Sequence, residues 1–261
     1  MRLHVDSHGS SGSPMLFIHG WGMHGGMWGD VLETLGGRFR VLAVDLPGHG
    51  YSGGDLGSGT GAETLDAVVE KLARQFSGPL TVCGWSLGGQ IALRWAMRYP
   101  AQVACLVLIS STPCFVQKEG WPCAMSEKTL ADFSAALQQD HVATLRRFLS
   151  LQLRGSENER EHLSALRKRL MSRGGADPCA LQSGLEMLRD VDLRADIANI
   201  RQPALVISGD RDTLTPLAAS RRMAESMPDA RLETITGAAH APFLSHEKEF
   251  VEQIFAWMNL R

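Results

Sequence analysis

Residues 84–88 read Gly84-Trp85-Ser86-Leu87-Gly88 and join two runs of different character. Before them, Leu80-Thr81-Val82-Cys83 is apolar and β-branched; after them, Gln90-Ile91-Ala92-Leu93-Arg94-Trp95-Ala96 carries a helical pattern. A strand that turns into a helix this tightly needs small residues two before and two after the pivot, because side chains there would collide. Gly84 and Gly88 meet that need. Such a turn lifts the Ser86 hydroxyl above the sheet edge and aims the first amides of the helix at the point where an oxyanion would form. G-x-S-x-G alone is a common string; with these flanks it predicts a nucleophile.

A serine hydroxyl attacks poorly until a base removes its proton, so a histidine and an orienting carboxylate are expected later in the chain. Pro203-Ala204-Leu205-Val206-Ile207-Ser208 reads as a buried strand that runs into Gly209-Asp210-Arg211-Asp212-Thr213. Either aspartate could be the acid. Asp212 is preferred, because Asp210 follows the strand so closely that it suits bracing the turn. The short strand Leu232-Glu233-Thr234-Ile235 and the small-residue loop Thr236-Gly237-Ala238-Ala239-His240-Ala241-Pro242 follow, which makes His240 the expected base.

Met15-Leu16-Phe17-Ile18 is another buried strand, ending in the loop His19-Gly20-Trp21-Gly22. Acyl chemistry needs two backbone donors on the oxyanion, and the amides of Leu87 and Trp21 are the candidates. His19 is expected to hold its loop by a hydrogen bond, and Asp45, at the end of the strand from Arg40, to lock a turn. His4, His8, His141, His162 and His246 lie in polar surroundings and read as surface residues. The spacings of His19, His24 and His49 match no metal template, so neither a metal nor another cofactor is expected.

Strands that are nearly all apolar, such as Cys105-Leu106-Val107-Leu108-Ile109, alternate with helical patterns, among them the helix opened by a capping box at Thr60-Gly61-Ala62-Glu63. The fold class is therefore α/β, a mostly parallel sheet with helices on both faces. From 113 to 190 the strand signals stop, and four helices are expected over 128–139, 142–153, 157–171 and 178–189. This segment reads as a helical lid inserted into a core made of 1–112 and 191–261.

Between Asp140 and Arg173 stand eight basic residues, Arg146, Arg147, Arg154, Arg160, Arg167, Lys168, Arg169 and Arg173, against four acidic ones. That segment is at +4 in a chain whose net charge is −2. One reading is a solvated face with intrahelical pairs. The other is a docking surface for an acidic partner that presents an acyl chain to a cleft lined by Leu145, Phe148, Leu149, Leu151 and Leu153. A patch so short, with no recognised motif beside it, does not suit nucleic acid. No segment is long and apolar enough to span a membrane, and Met1–Ser7 has no apolar signal core, so the cytoplasm is expected; the expected state is a monomer. The five cysteines read as reduced, structural thiols.

The chain resembles the α/β-hydrolases throughout. Within them it is similar to the carboxylesterase family of biotin synthesis, whose members cleave the methyl ester of pimeloyl-[acyl-carrier protein]. The residues that carry this are His19-Gly20-Trp21-Gly22, Asp45-Leu46-Pro47-Gly48, Gly84-Trp85-Ser86-Leu87-Gly88-Gly89 and Ala238-Ala239-His240-Ala241-Pro242-Phe243. More specific are Ser110-Ser111-Thr112-Pro113-Cys114-Phe115, the pair Trp121-Pro122, and Arg147-Phe148-Leu149-Ser150-Leu151-Gln152. The resemblance implies substrate contacts at Trp21, Leu87, Phe148, Leu149, Ser150, Leu151, Gln152 and His240. It also implies that lid arginines, here Arg146, Arg147, Arg154, Arg160 and Arg167, meet an acyl carrier protein. Where the family places further arginines this chain has Ala143 and Ser164, which shifts the basic contacts. A general short-chain carboxylesterase or a carbon-carbon bond hydrolase would keep the triad without needing the basic lid. A non-catalytic receptor of this fold would be expected to lack part of the triad.

Overall fold

The computed structural model describes residues 2–54 and 59–260; Met1, residues 55–58 and Arg261, all within the core segments drawn from the sequence, lie outside the described residues. Seven strands form one sheet in the order β1-β3-β2-β4-β5-β6-β7. They are β1 (Val5–His8), β2 (Pro14–Ile18), β3 (Arg40–Val44), β4 (Leu80–Trp85), β5 (Val103–Ile109), β6 (Ala204–Gly209) and β7 (Ala230–Ile235). All neighbours run parallel except β1, which pairs antiparallel with β3 and sets Val5 opposite Val44. The sequence reading contains no strand at 5–8. Four residues, two of them polar and one a histidine, give too short a period to register, and it is the ladder with β3 that makes them a strand.

Because side chains alternate across a strand, each strand feeds two cores. Leu16, Ile18, Val82, Leu106, Leu108 and Val206 face one side, where α2 (Gly61–Gln75), α3 (Leu87–Arg98) and later α8 (Leu217–Ser226) pack. Met15, Phe17, Cys83, Trp85, Val107 and Ile207 face the other, against α1 (Asp30–Gly36) and α10 (Glu247–Met258). The second helix shows why these residues become a helix: Thr60 and Glu63 form a full capping box at its start, and Leu65, Val68, Val69 and Leu72 make the buried stripe. Each such apolar side chain stabilises by about 1.5–3 kcal/mol when removed from water, which outweighs the cap at about 1 kcal/mol.

Between β5 and β6 the chain leaves the sheet for α4 (Glu127–Gln139), α5 (His141–Gln152), α6 (Glu159–Met171) and α7 (Pro178–Asp190). Ser126, Asp140 and Asp177 cap three of them by accepting from Thr129, Ala143 and Cys179 amides. The two ends of this insertion meet. The Leu193 amide donates to the Pro113 carbonyl at 2.9 Å, and Cys114 bridges Asp192.

The basic patch divides in two. Arg146, Arg147, Arg154, Arg160, Arg167 and Lys168 are exposed. None of these six side chains makes a hydrogen bond or ion pair among the described residues. Arg169 and Arg173 turn inward instead: Arg169 approaches Asp30 at 4.0 Å, while Arg173 pairs with Asp6 and Asp45. Counting charge along the sequence missed this, because it carries no direction. Leu166, Leu170 and Arg173 fall at i, i+4 and i+7, on the face turned to the core.

Candidate active site

Ser86 sits between β4 and α3 with φ +56°, a backbone conformation that L-residues adopt only under constraint. The constraints are visible. The Ser86 amide donates to the Ile109 carbonyl at 2.9 Å, and the Ser111 hydroxyl donates to the Ser86 carbonyl at 2.8 Å. A Cβ on Gly84 would lie 2.3 Å from the Gly88 carbonyl oxygen, and one on Gly88 would lie 2.3 Å from the Ile18 oxygen. Only glycine allows the strand, the helix and β2 to converge this closely.

The loop after β2 runs beside the serine: a Cβ at Gly20 would be 3.3 Å from the Ser86 Cβ. His19 ties this loop to its neighbour, donating from Nδ1 to the Gly20 carbonyl at 2.8 Å and accepting the Leu46 amide on Nε2 at 3.0 Å. Burial, reinforced by His49, holds its imidazole well below the usual range, as suits a neutral ring with one donor and one acceptor. Asp45 locks the next turn, accepting the Gly25 amide at 2.6 Å and the Tyr51 amide at 2.8 Å. Both arrangements match the bracing roles read from the sequence.

Asp212 and His240 come from the loops after β6 and β7. His240 Nδ1 donates to Asp212 Oδ2 at 2.8 Å, and both side chains are buried. The carboxylate also accepts the Leu214 and Thr215 amides on Oδ1, each at 2.9 Å, and the Thr215 hydroxyl on Oδ2 at 2.6 Å. With Nδ1 as donor, His240 Nε2 keeps its lone pair; it is buried and has no hydrogen-bond partner. Trp85, the residue before the serine, fixes the base from behind by donating Nε1 to the His240 carbonyl at 2.8 Å. The alternative acid, Asp210, is occupied elsewhere, accepting the Gly237 amide at 2.7 Å.

Leu87 begins α3, so its amide is one of the four that an α-helix leaves without an internal acceptor. Trp21 is buried under the insertion: its Nε1 donates to the Leu181 carbonyl in α7 at 2.8 Å, and Phe148 of α5 meets its ring edge-on at 4.9 Å. Gly184 of α7 approaches Trp21 so closely that a Cβ there would fall 2.6 Å from Cδ1 of the indole. In the run 148–152, Leu149 and Gln152 are buried, and the Gln152 carbonyl accepts the Ala241 amide next to His240 at 3.2 Å. Ser150 and Leu151 lie on another face of α5. The Ser150 hydroxyl is spent on the Arg146 carbonyl at 3.2 Å, and Leu151 is half-buried and belongs to neither core. A helix turns 100° per residue, so five consecutive positions cannot all face one cleft.

Three contributors went unread in the sequence. Thr215, Gly184 and Trp85 act through contacts between distant segments, and only Trp85, inside the G-x-S-x-G string, had a local signal. Among the described residues, no group of three or more His, Cys, Asp or Glu is placed to hold a metal, and no helix is long and apolar enough to cross a membrane.

A buried carboxylate–imidazole pair, tied through Trp85 to a serine at a strained strand-to-helix turn, is the equipment of acyl transfer. Residues 13–247 match the model of the alpha/beta hydrolase fold family. The chain is 43% identical over 249 residues to a pimeloyl-[acyl-carrier protein] methyl ester esterase of Nitrosomonas europaea, covering 95% of this chain and 96% of that one. It is 42% identical to the protein of the same description from Chromobacterium violaceum, over 97% of each. Among solved structures, an esterase from Exiguobacterium antarcticum superposes with a TM-score of 0.86 at 23% identity, covering 98% of this chain and 95% of the other, a likeness of fold. This chain belongs to the α/β-hydrolases and, within them, to the pimeloyl-[acyl-carrier protein] methyl ester esterases.

Proposed function

We propose that the protein hydrolyses the methyl ester of pimeloyl-[acyl-carrier protein], releasing methanol and the free carboxylate for biotin synthesis, with Ser86, His240 and Asp212 as its catalytic triad. The observation that carries the chemistry is the Asp212–His240 hydrogen bond, which leaves Nε2 as an unpartnered base in the buried site. The names and identity of the relatives support the substrate.

Ser86 Oγ attacks the ester carbonyl as His240 Nε2 takes its proton, and Asp212 holds the resulting imidazolium. The amides of Trp21 and Leu87 receive the oxyanion, a donor of this kind contributing about 3 to 4 kcal/mol to the transition state. The imidazolium then protonates departing methanol. Water, activated by the same base, attacks the acyl-serine and frees the acid. Phe148, Leu149 and Gln152 border the acyl chain, and the helices α4–α7 act as a lid.

The exposed, unpaired Arg146, Arg147, Arg154, Arg160 and Arg167 support docking of the acidic carrier protein, because intrahelical pairing does not use them. We place the enzyme in the cytoplasm as a monomer: none of its five cysteines forms a disulfide, and one chain carries every site residue.

The test is hydrolysis of pimeloyl-[acyl-carrier protein] methyl ester beside a short p-nitrophenyl ester, by wild type, Ser86→Ala and His240→Ala. Cleavage of the carrier-bound ester that is lost in both variants, with folding intact, is expected. Cleavage of the small ester alone would leave a general carboxylesterase, and wild-type rates in either variant would remove the triad assignment.

A further inference from the structure

The loop between β6 and α8 delivers a side chain that the proposed reaction does not use. Thr215 is buried, and its hydroxyl donates at 2.6 Å to Asp212 Oδ2, the oxygen that also accepts His240 Nδ1. The same hydroxyl oxygen lies 3.2 Å from His240 Nδ1. The Thr215 amide reaches the other carboxylate oxygen, Oδ1, at 2.9 Å, beside the amide of Leu214. One residue therefore holds the carboxylate at both ends.

An ionised carboxylate offers about four lone-pair sites. Two amides, one hydroxyl and one imidazole occupy them here. The amides secure Oδ1. Apart from His240 itself, the Thr215 hydroxyl is the one donor to Oδ2 among the described residues. That hydroxyl has little freedom of its own, because Pro216 follows it and confines its backbone to extended conformations, and because a β-branched side chain is stiff at χ1. His240 is held independently, through its carbonyl by Trp85 and through the next amide by the Gln152 carbonyl. With the base fixed by its own backbone, it is the carboxylate that has to be brought into line.

We infer that Thr215 is a positioning residue of the triad, its hydroxyl aligning Asp212 Oδ2 with the Nδ1–H of His240. The inference rests on the triad reading. When Nε2 takes the serine proton the ring becomes positively charged, and a carboxylate already aligned on Nδ1 stabilises that charge without reorganising. Thr215 acts through Asp212, so its role shows in the rate of the chemical step and not in binding. A hydroxyl that merely closed the loop would cost stability when removed and leave kcat as it was.

Two variants remove the donor: Thr215→Val keeps the side-chain shape, and Thr215→Ala avoids pressing a methyl against Oδ2. On whichever of the two esters wild type cleaves, both are expected to lower kcat about tenfold with KM changed less than about twofold, and to shift the low-field proton resonance of the Nδ1–Asp212 bond. Thr215→Ser should restore the rate and the resonance. In the background of Asp212→Asn, where the carboxylate is gone, adding Thr215→Ala is expected to slow the enzyme no further. Wild-type kcat or an unmoved resonance in both variants, no recovery with serine, or a further tenfold loss in the double variant overturns the role. Failure of the triad reading would show separately, as wild-type rates in Ser86→Ala or His240→Ala.

Discussion

Arg173, just beyond α6, places one guanidinium nitrogen 3.2 Å from each carboxylate oxygen of Asp45, a residue wholly buried at the end of β3. It pairs with Asp6 of β1 as well, so one side chain joins the helical insertion to two strands of the core. His24 adds to this by donating to the Arg169 and Leu170 carbonyls at 3.1 and 3.2 Å. Removing one partner of a buried ion pair leaves the other charge without compensation, which costs more than the pair itself contributes. Arg173→Leu is therefore expected to lose about 3 kcal/mol in urea unfolding, with part of it recovered in Arg173→Leu/Asp45→Asn. A loss below about 0.5 kcal/mol would reduce the contact to a surface pair.

The two aspartates after β6 separate cleanly by substitution. Asp212→Asn should lower kcat by about 10⁴, because an amide in that place favours the wrong tautomer of His240. Asp210→Asn should leave kcat within a few-fold and weaken the fold by about 1 kcal/mol, through its single bond to the Gly237 amide. Steady-state rates paired with denaturation of both variants decide the matter, and the reverse order of effects would exchange the two roles.

Gly184→Ala sets two magnitudes against each other. Alanine gains about 1 kcal/mol of helix propensity, but its methyl would meet the Trp21 indole at 2.6 Å, an overpacking that costs about 1–3 kcal/mol. The clash is expected to prevail, and its signature is functional: moving Trp21 disturbs the loop proposed to supply an oxyanion amide. A drop of tenfold or more in kcat with a small change in KM is the expected result, and unchanged kcat would detach Trp21 from the oxyanion.

Burial pushes the His49 imidazole down to about 4, and it holds His19 lower than its ordinary value too. In the unfolded chain these rings titrate near 6.5, so between about 6.5 and 4 the unfolded state binds protons that the folded state refuses, and stability falls as the pH falls. His49 alone accounts for about 3 kcal/mol across that window. Urea unfolding from pH 7 to pH 4 should show the decline, and His49→Gln should flatten it; an identical slope would mean that His49 is protonated inside the fold.

The strand cores and the serine turn were legible because their signals are local: apolar runs bounded by glycine, and a motif five residues long. His240 and Asp212 could be named because each follows a buried strand, and the choice between Asp210 and Asp212 turned on how closely Asp210 follows its strand; Asp210 accepts the Gly237 amide and Asp212 accepts His240. β1 escaped notice because its identity depends on a partner some 36 residues away. Arg169 and Arg173 were counted with the exposed arginines because composition has no direction, though helical periodicity already set Arg173 on the face of Leu166 and Leu170. Ser150 and Leu151 came only from the family segment taken whole, and they lie on another face of α5 from Leu149 and Gln152. Thr215 and Gly184 matter only through what folds against them, 25 residues away in one case and 163 in the other.

The closure of the insertion upon itself, with Pro113 bonded to Leu193 and Cys114 bridged to Asp192, makes the four helices a loop whose ends are already together. Lengthening or exchanging such a loop adds little chain entropy for the sheet to overcome. The sheet can thus be inherited as one piece and the four helices as another. A transplant that kept residues 113 and 193 paired would carry a new specificity onto the same serine.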